Sequence, residues 1–197
     1  MEAEVSAKSA LRTELVEARR ALPEDQRASL NAALVSQVEH LLKPGMTVAA
    51  YNPLPSEPGG PGFITVLSSL CDTVYLPISL ADGALAWSIY RGPEETTLGR
   101  LGISEPAGHR EDSSILASCD YIFAPALAVH PAGFRLGKGA GYYDRALAQL
   151  PAGTATVVGV VYSHEIRSDV PAQKHDVPVE YILTENALLP AVPGSQV

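Results

Sequence analysis

The residues whose types and spacing could carry chemistry are densest in Gly133-Phe134-Arg135-Leu136-Gly137-Lys138-Gly139-Ala140-Gly141-Tyr142-Tyr143-Asp144-Arg145. Four glycines fall within nine residues, after an apolar run and before a helical pattern. Glycines let a backbone approach a phosphate closely, and the start of a helix supplies N–H donors. Arg135 and Lys138 add two cations, so the stretch reads as a cradle for a phosphorylated ligand. It is not a Walker A loop. Three residues rather than four separate Gly133 from Gly137, and Gly139 follows Lys138 where a serine or threonine is required. Nor is Gly137-x-Gly139-x-Gly141 the dinucleotide fingerprint. The plain alternative is a flexible glycine loop with incidental charge.

Three further groups offer chemistry at lower density. Lys8 and Arg12 stand four apart, which puts both cations on one helix face, either solvated or turned to a ligand. The segment Tyr51-Asn52-Pro53-Leu54-Pro55-Ser56-Glu57 ends a loop in one acid, either a surface carboxylate or an acceptor for a polar ring such as a pterin. Asp144 and the late His175-Asp176 offer carboxylate oxygens. These suit either turn and helix caps or a Mg²⁺ ion, which on a nucleotide takes one or two protein carboxylates.

Charge limits what these groups can bind. Twenty-two acidic against 14 basic residues give a net of −8. Such a chain is a poor general polyanion binder, so no nucleic-acid partner is expected and a phosphate site must be built locally. The two cysteines, Cys71 and Cys119, form no metal spacing and no disulfide framework, and read as buried thiols of a reducing compartment. The acidic start Met1-Glu2-Ala3-Glu4 lacks the apolar stretch of a signal peptide. No apolar run reaches the roughly 18 residues of a membrane span. A cytoplasmic protein without membrane contact is the expectation.

The elements that must position these groups follow from periodicity. Leu11, Leu15, Ala18 and Leu22 make one stripe and predict a helix over 6–21, ended before Pro23. Leu30, Leu34, Val38 and Leu41 predict a second over 24–42, stopped by Lys43-Pro44-Gly45. A buried strand is expected over 46–51. Residues 52–62, with four prolines and three glycines, must be irregular. A helix then starts at Phe63, and strands are expected over 74–78 and 84–90, the second opened by an Asp82-Gly83 turn and carrying Trp87 as core. Residues 91–112 read as loop. A strand over 121–129 is interrupted by Pro125, and 130–141 is a glycine-rich loop. A helix over 142–150 turns Tyr143, Leu147 and Leu150 inward. Strands over 156–162 and 181–184 complete the pattern, and a frayed tail is expected from about 190 to 197. Alternating strands and helices argue an α/β domain with a largely parallel sheet, covered on both faces. At about 150 residues per domain, 197 residues make one domain, 1–197.

The run from Arg135 to Arg145 resembles the signature of the 5-formyltetrahydrofolate cyclo-ligase family, also called 5,10-methenyltetrahydrofolate synthetases. The similarity takes in Lys8-x-x-x-Arg12, Ser56-Glu57, Leu101-Gly102-Ile103-Ser104-Glu105-Pro106, the strand from Asp120 to Leu127 and His175-Asp176, in the family's order. The resemblance implies a three-layer α/β/α sandwich with a mostly parallel sheet, similar to ribose-phosphate isomerase and CoA-transferase domains. It implies an ATP- and Mg²⁺-dependent ring closure of 5-formyltetrahydrofolate to 5,10-methenyltetrahydrofolate by a monomer. By the same match, Lys8 and Arg12 would hold ATP phosphates, together with Arg135, Leu136, Gly137, Lys138, Gly139, Ala140, Gly141, Tyr142 and Tyr143. Arg135, Lys138 and Tyr142 would be catalytic. Tyr51, Asn52, Glu57, Lys138, Gly139 and Tyr142 would contact the folate, and Asp144 and Asp176 the Mg²⁺. The chain departs from the family at His130, where an acid is common, at Ala140 and at Pro58-Gly59-Gly60. Two other readings of such a chain are a sugar-phosphate isomerase on a related fold and a non-catalytic folate- or nucleotide-binding protein.

Overall fold

The structure, a computed structural model, describes residues 2–171 and 176–192, with side chains from residue 7. The chain opens with two helices, α1 (Glu2–Ala21) and α2 (Glu24–Leu41), parted at Pro23 as the sequence requires. Next come β1 (Thr47–Ala49), α3 (Gly62–Leu70), and the hairpin β2 (Thr73–Ser79) and β3 (Leu85–Ile89). A small hairpin of β4 (Thr96–Leu98) and β5 (Ser104–Pro106) precedes β6 (Tyr121–Pro125), β7 (Ala128–Val129) and β8 (Arg135–Leu136). The chain then forms α4 (Tyr142–Leu147), β9 (Thr156–Val160), β10 (Tyr181–Leu183) and β11 (Leu188–Pro190).

Seven strands make the main sheet in the order β11-β10-β9-β6-β1-β2-β3. The five inner strands are parallel, and antiparallel β3 and β11 close the edges. Side chains alternate across it with period two. Val48, Phe123, Val158, Val160 and Leu183 point to one face, where they pack against Leu34 and Val38 of α2 and Phe63 and Leu67 of α3. Ala49, Ile122, Ala124, Val157 and Ile182 point to the other, with Trp87, Leu116, Ala146 and Leu147. This is the expected α/β architecture. Trp87 is fully buried and meets Tyr143 edge to face at 6.0 Å.

Helix α1 covers neither face. Its Leu11 and Leu15 pack with Leu127, Ala128, Leu136 and Val170 in a separate cluster. Leu127 and Ala128 directly follow β6, so α1 lies beyond the carboxyl end of that strand. In open α/β sheets that end is where ligands bind.

The structure corrects the sequence reading in four places. The expected strand over 121–129 ends at Pro125, and β7 pairs instead with β8, which takes Arg135 and Leu136 out of the glycine loop. The cause is local: Leu127 N–H donates to the carbonyl of Leu136 and not to β9. The 91–112 loop contains the β4–β5 hairpin, whose strands of three residues are too short for a periodic signal, β4 being largely exposed and the buried residues of β5 being Glu105 and Pro106. The helix expected over 142–150 stops at Leu147. The tail is tied through Val192: β11 pairs with β10, Ala191 N–H donates to Glu180, and Val192 N–H donates to Pro131. Residues 193–197 lie outside the described residues.

Both cysteines are free and buried. Burial pushes the Cys71 thiol up to about 11 and Cys119 to about 12. A reagent that needs thiolate therefore finds little below pH 9. Iodoacetamide at pH 8.5 should leave the native protein unlabelled while the denatured chain takes two labels, read by intact mass. Rapid labelling of native protein would contradict the packing of α3 and residues 115–119 described here. Among the described residues, no helix is long and apolar enough to cross a membrane.

Candidate active site

A cleft of about 350 Å³ opens where α1, the β7–β8 hairpin, the glycine-rich loop and the 50–61 loop converge. It is lined by every residue the sequence reading selected: Lys8 and Arg12; Tyr51, Asn52 and Glu57; the run Arg135 to Tyr143; and Asp144 and Asp176. His175 lies outside the described residues. The first helix thus meets a loop more than 120 residues later, as Arg12 Nε–H donating to the Gly137 carbonyl at 2.9 Å shows directly.

The glycine-rich loop leads from β8 into α4. Gly139 (φ 104°) and Gly141 (φ 68°) hold positive φ, a region side-chain-bearing residues rarely enter. The loop is fastened by Arg145. Its Nε donates to the Gly83 carbonyl at 3.0 Å, its Nη2 to Ala140 at 2.8 Å, and its guanidinium lies 5.5 Å from the Tyr142 ring centre. Because α4 has only six residues, backbone donors at its start are a minor contribution and the charged side chains dominate.

The cations of the cleft are mostly held by carboxylates. Lys8 Nζ lies 3.2 Å from Asp176 Oδ2, Arg135 Nη2 donates to Asp144 Oδ1 at 2.7 Å, and Lys138 Nζ lies 2.7 Å from Glu57 Oε1. Glu57 also accepts from Leu54 N–H at 2.8 Å, which fixes its loop. The Arg135 side chain is only 3% exposed. Burial pulls its guanidinium pKa below the usual value, partly offset by Asp144. Arg135 Nε and Tyr143 Oη are buried with no hydrogen-bond partner among the described residues. Burial also pushes the Tyr143 phenol far up, so it remains a proton donor. Two buried donors without acceptors are costly unless a ligand supplies oxygens.

The residues expected to contact a folate are placed less freely. Tyr51 is buried with its hydroxyl donating to Pro58 at 2.5 Å, and Asn52 Nδ2 donates to Ser104 at 3.0 Å. Their polar ends brace the loop. His130 is a buried brace as well, its Nδ1 accepting from Ala132 N–H at 3.0 Å in the turn between β7 and β8.

Two charged groups of the cleft region lay outside the sequence selection. Arg19 lines the cleft floor, donating to both oxygens of Glu165 at 2.6 and 2.8 Å and to the Ala126 carbonyl at 2.7 Å. Burial would lower its pKa, but the bonds and charge of Glu165 outweigh that and raise it. Its position continues the stripe of Lys8, Arg12 and Leu15, a signal that could have found it. Glu105 is buried in the cleft wall, with Oε1 accepting from Ser79 N–H at 3.0 Å. It stands in the Leu101–Pro106 run, and only its carboxylate type marked it.

Among the described residues no group of three or more His, Cys, Asp or Glu could hold a metal by itself. Asp144 and Asp176 instead form a two-carboxylate set in one cleft, which suits a metal whose remaining ligands come from phosphate and water.

Several known proteins similar to this chain share one family and one fold. The sequence model of the 5-formyltetrahydrofolate cyclo-ligase family matches residues 4–185. The chain is similar to the 5-formyltetrahydrofolate cyclo-ligase of Mycolicibacterium smegmatis, 39% identical over 182 residues that cover 90% of this chain and 93% of that one. The solution structure of Aquifex aeolicus 5,10-methenyltetrahydrofolate synthetase superposes with a TM-score of 0.78 at 28% identity, covering 96% of this chain and 95% of that one. A Mycoplasma pneumoniae 5,10-methenyltetrahydrofolate synthetase shares the fold, with a TM-score of 0.71 at 22% identity, over 90% of this chain and 98% of that one. With a match running from the first helix through β10, and so through both halves of the cleft, the chain belongs to the 5-formyltetrahydrofolate cyclo-ligase family.

Proposed function

We propose that the cleft performs an ATP- and Mg²⁺-dependent closure of 5-formyltetrahydrofolate, releasing ADP and phosphate. Conversion of 5-formyltetrahydrofolate to 5,10-methenyltetrahydrofolate is the reaction of the family to which the chain belongs. The observation that carries the reading here is the convergence of Lys8, Arg12, Arg135 and Lys138 around two unpartnered buried donors, Arg135 Nε and Tyr143 Oη.

The chemistry explains the need for ATP. A formyl oxygen is a poor leaving group until it carries a phosphoryl group; N10 then attacks the activated carbon, loses its proton, and phosphate departs. Little covalent work falls to the protein, which must position the reactants and neutralise the transferring phosphoryl. In this reading Lys8 and Arg12 bind phosphates, and Leu136 to Gly141 and Tyr143 enclose the nucleotide. Arg135, Lys138 and Tyr142 act at the reacting groups. Glu57, Tyr51 and Asn52 bound the folate side, with Lys138, Gly139 and Tyr142 shared between the two ligands. Asp144 and Asp176 would hold Mg²⁺, whose charge would offset that of the phosphates. One chain supplies all these residues, which favours a monomer and one cyclo-ligase unit spanning the chain. Buried free thiols favour the cytoplasm, and the net charge of −8 disfavours nucleic acid.

Purified protein mixed with 5-formyltetrahydrofolate, Mg²⁺ and ATP should generate the methenyl chromophore in the near ultraviolet, with no signal when ATP is omitted. Folded protein that binds nucleotide without forming the chromophore would support the non-catalytic alternative instead. In the same assay, Asp144→Ala should raise the Mg²⁺ needed for half-maximal rate by about ten-fold or more. An unchanged Mg²⁺ dependence would remove Asp144 from the metal role.

A further inference from the structure

Two of the ion pairs in the cleft have an unusual composition. Lys8–Asp176 and Arg135–Asp144 each join a cation assigned to phosphate with a carboxylate assigned to the metal. The side chains of Lys8, Asp176 and Arg135 are each less than 10% exposed, whereas that of Asp144 is 34% exposed. Solvent therefore screens the Lys8–Asp176 pair weakly and reaches the Arg135–Asp144 pair only through its acid, and removing either acid leaves a buried cation uncompensated. Arg12 is different, since its bond is to the Gly137 carbonyl.

We propose that these are exchange pairs, which make the cleft accept nucleotide and divalent cation only together. A polyphosphate arriving without metal must pull Lys8 and Arg135 off their carboxylates and then sit beside two acids that have lost those cations. A dication arriving alone must strip the same carboxylates and leave two buried cations unpaired. When both arrive, the exchange balances: the dication takes the two carboxylates, and the phosphates take the two cations. Arg135 is built for the first contact, because Nη2 holds Asp144 while the buried Nε has no partner among the described residues. A phosphate oxygen can engage Nε before the Asp144 bond is released. The inference rests on the phosphate and metal roles given above. It adds a linkage that those roles alone do not require, since permanently separated cations and acids would bind each ligand independently.

The test is equilibrium binding of the β,γ-imido analogue of ATP, followed by calorimetry with Mg²⁺ and again with a chelator. Wild-type protein should bind it at least about ten-fold more weakly in chelator. Asp176→Asn frees Lys8, and so should strengthen chelator binding by about three-fold or more while weakening binding with Mg²⁺. Asp144→Asn should do the same through Arg135; if that variant does not fold, Asp176→Asn decides. Glu105→Gln is the control. It removes a cleft acid that forms no ion pair among the described residues, so relief of general repulsion alone should stay within about two-fold. The proposal is overturned if the Asp variants leave chelator binding unchanged or weaker, or if Glu105→Gln strengthens it equally. If Lys8→Ala and Arg12→Ala leave binding with Mg²⁺ untouched, the phosphate assignment itself has failed, and the exchange with it.

Discussion

Replacing Arg135 by lysine should lower kcat by roughly a thousand-fold while changing the KM for ATP by no more than about three-fold. The asymmetry follows from how Arg135 is held. Strand β8 presents it to the cleft, Asp144 fixes Nη2 at 2.7 Å, and burial removes competing water. Its Nε is therefore oriented before any ligand binds, and a preorganised donor is most effective where charge develops during transfer. Lysine retains the charge but loses the planar fork: one ammonium cannot present two donors in fixed geometry to the phosphoryl oxygens. Ground-state attraction for ATP is shared with Lys8 and Arg12, so KM is buffered. A thousand-fold loss corresponds to about 4 kcal/mol of transition-state stabilisation. Steady-state kinetics with varied ATP separate the cases. If KM rises and kcat is kept, Arg135 serves uniform binding and the transition-state role is wrong.

Much of this arrangement was legible in the sequence because local rules and tertiary demands coincide. The glycines at 139 and 141 are needed for backbone conformation, and Arg135, Lys138 and Asp144 stand within a few residues of them, so loop and charge are read from one stretch. Valine-rich β9 and apolar β6 declared themselves because both of their faces are buried. The elements that escaped are those set by long-range backbone pairing. The two-residue strands β7 and β8 are too short for any periodicity, and β11 exists only because β10 offers it an edge. The same holds for side chains. Lys8 and Arg12 were visible as a helix-face pair, but spacing could not show that Asp176 and Gly137 would meet them. Glu165 gave no local sign of its role; its partner lies 146 residues earlier.

That Arg19–Glu165 pair supplies the second large effect, on stability. Either Arg19→Met or Glu165→Leu alone should destabilise the protein by about 3–5 kcal/mol, whereas the double variant Arg19→Met with Glu165→Leu should recover most of the loss. The carboxylate of Glu165 accepts three bonds: two from Arg19 and one from Tyr162 N–H at 2.8 Å. Both side chains are almost wholly buried. Removing the arginine leaves an anion with a single donor, and removing the glutamate leaves a cation with only the Ala126 carbonyl. Each is an uncompensated charge away from water, which costs far more than the pair contributes net over an apolar replacement. Against a total stability of about 5–15 kcal/mol, either single change is severe. It should appear as a fall in Tm of about 10 °C or more. Urea melts of the four proteins give the coupling energy directly. Additive losses, with the double variant worse than either single, would show that the pair's worth lies in its separate bonds to Ala126 and Tyr162. Recovery of stability would isolate the other consequence of the pair, the seating of α1. The apolar double variant keeps the Leu11 and Leu15 contacts but loses the bond that fixes α1 to the chain after β6. Its KM for ATP should therefore rise through Lys8 and Arg12 even where the fold is restored.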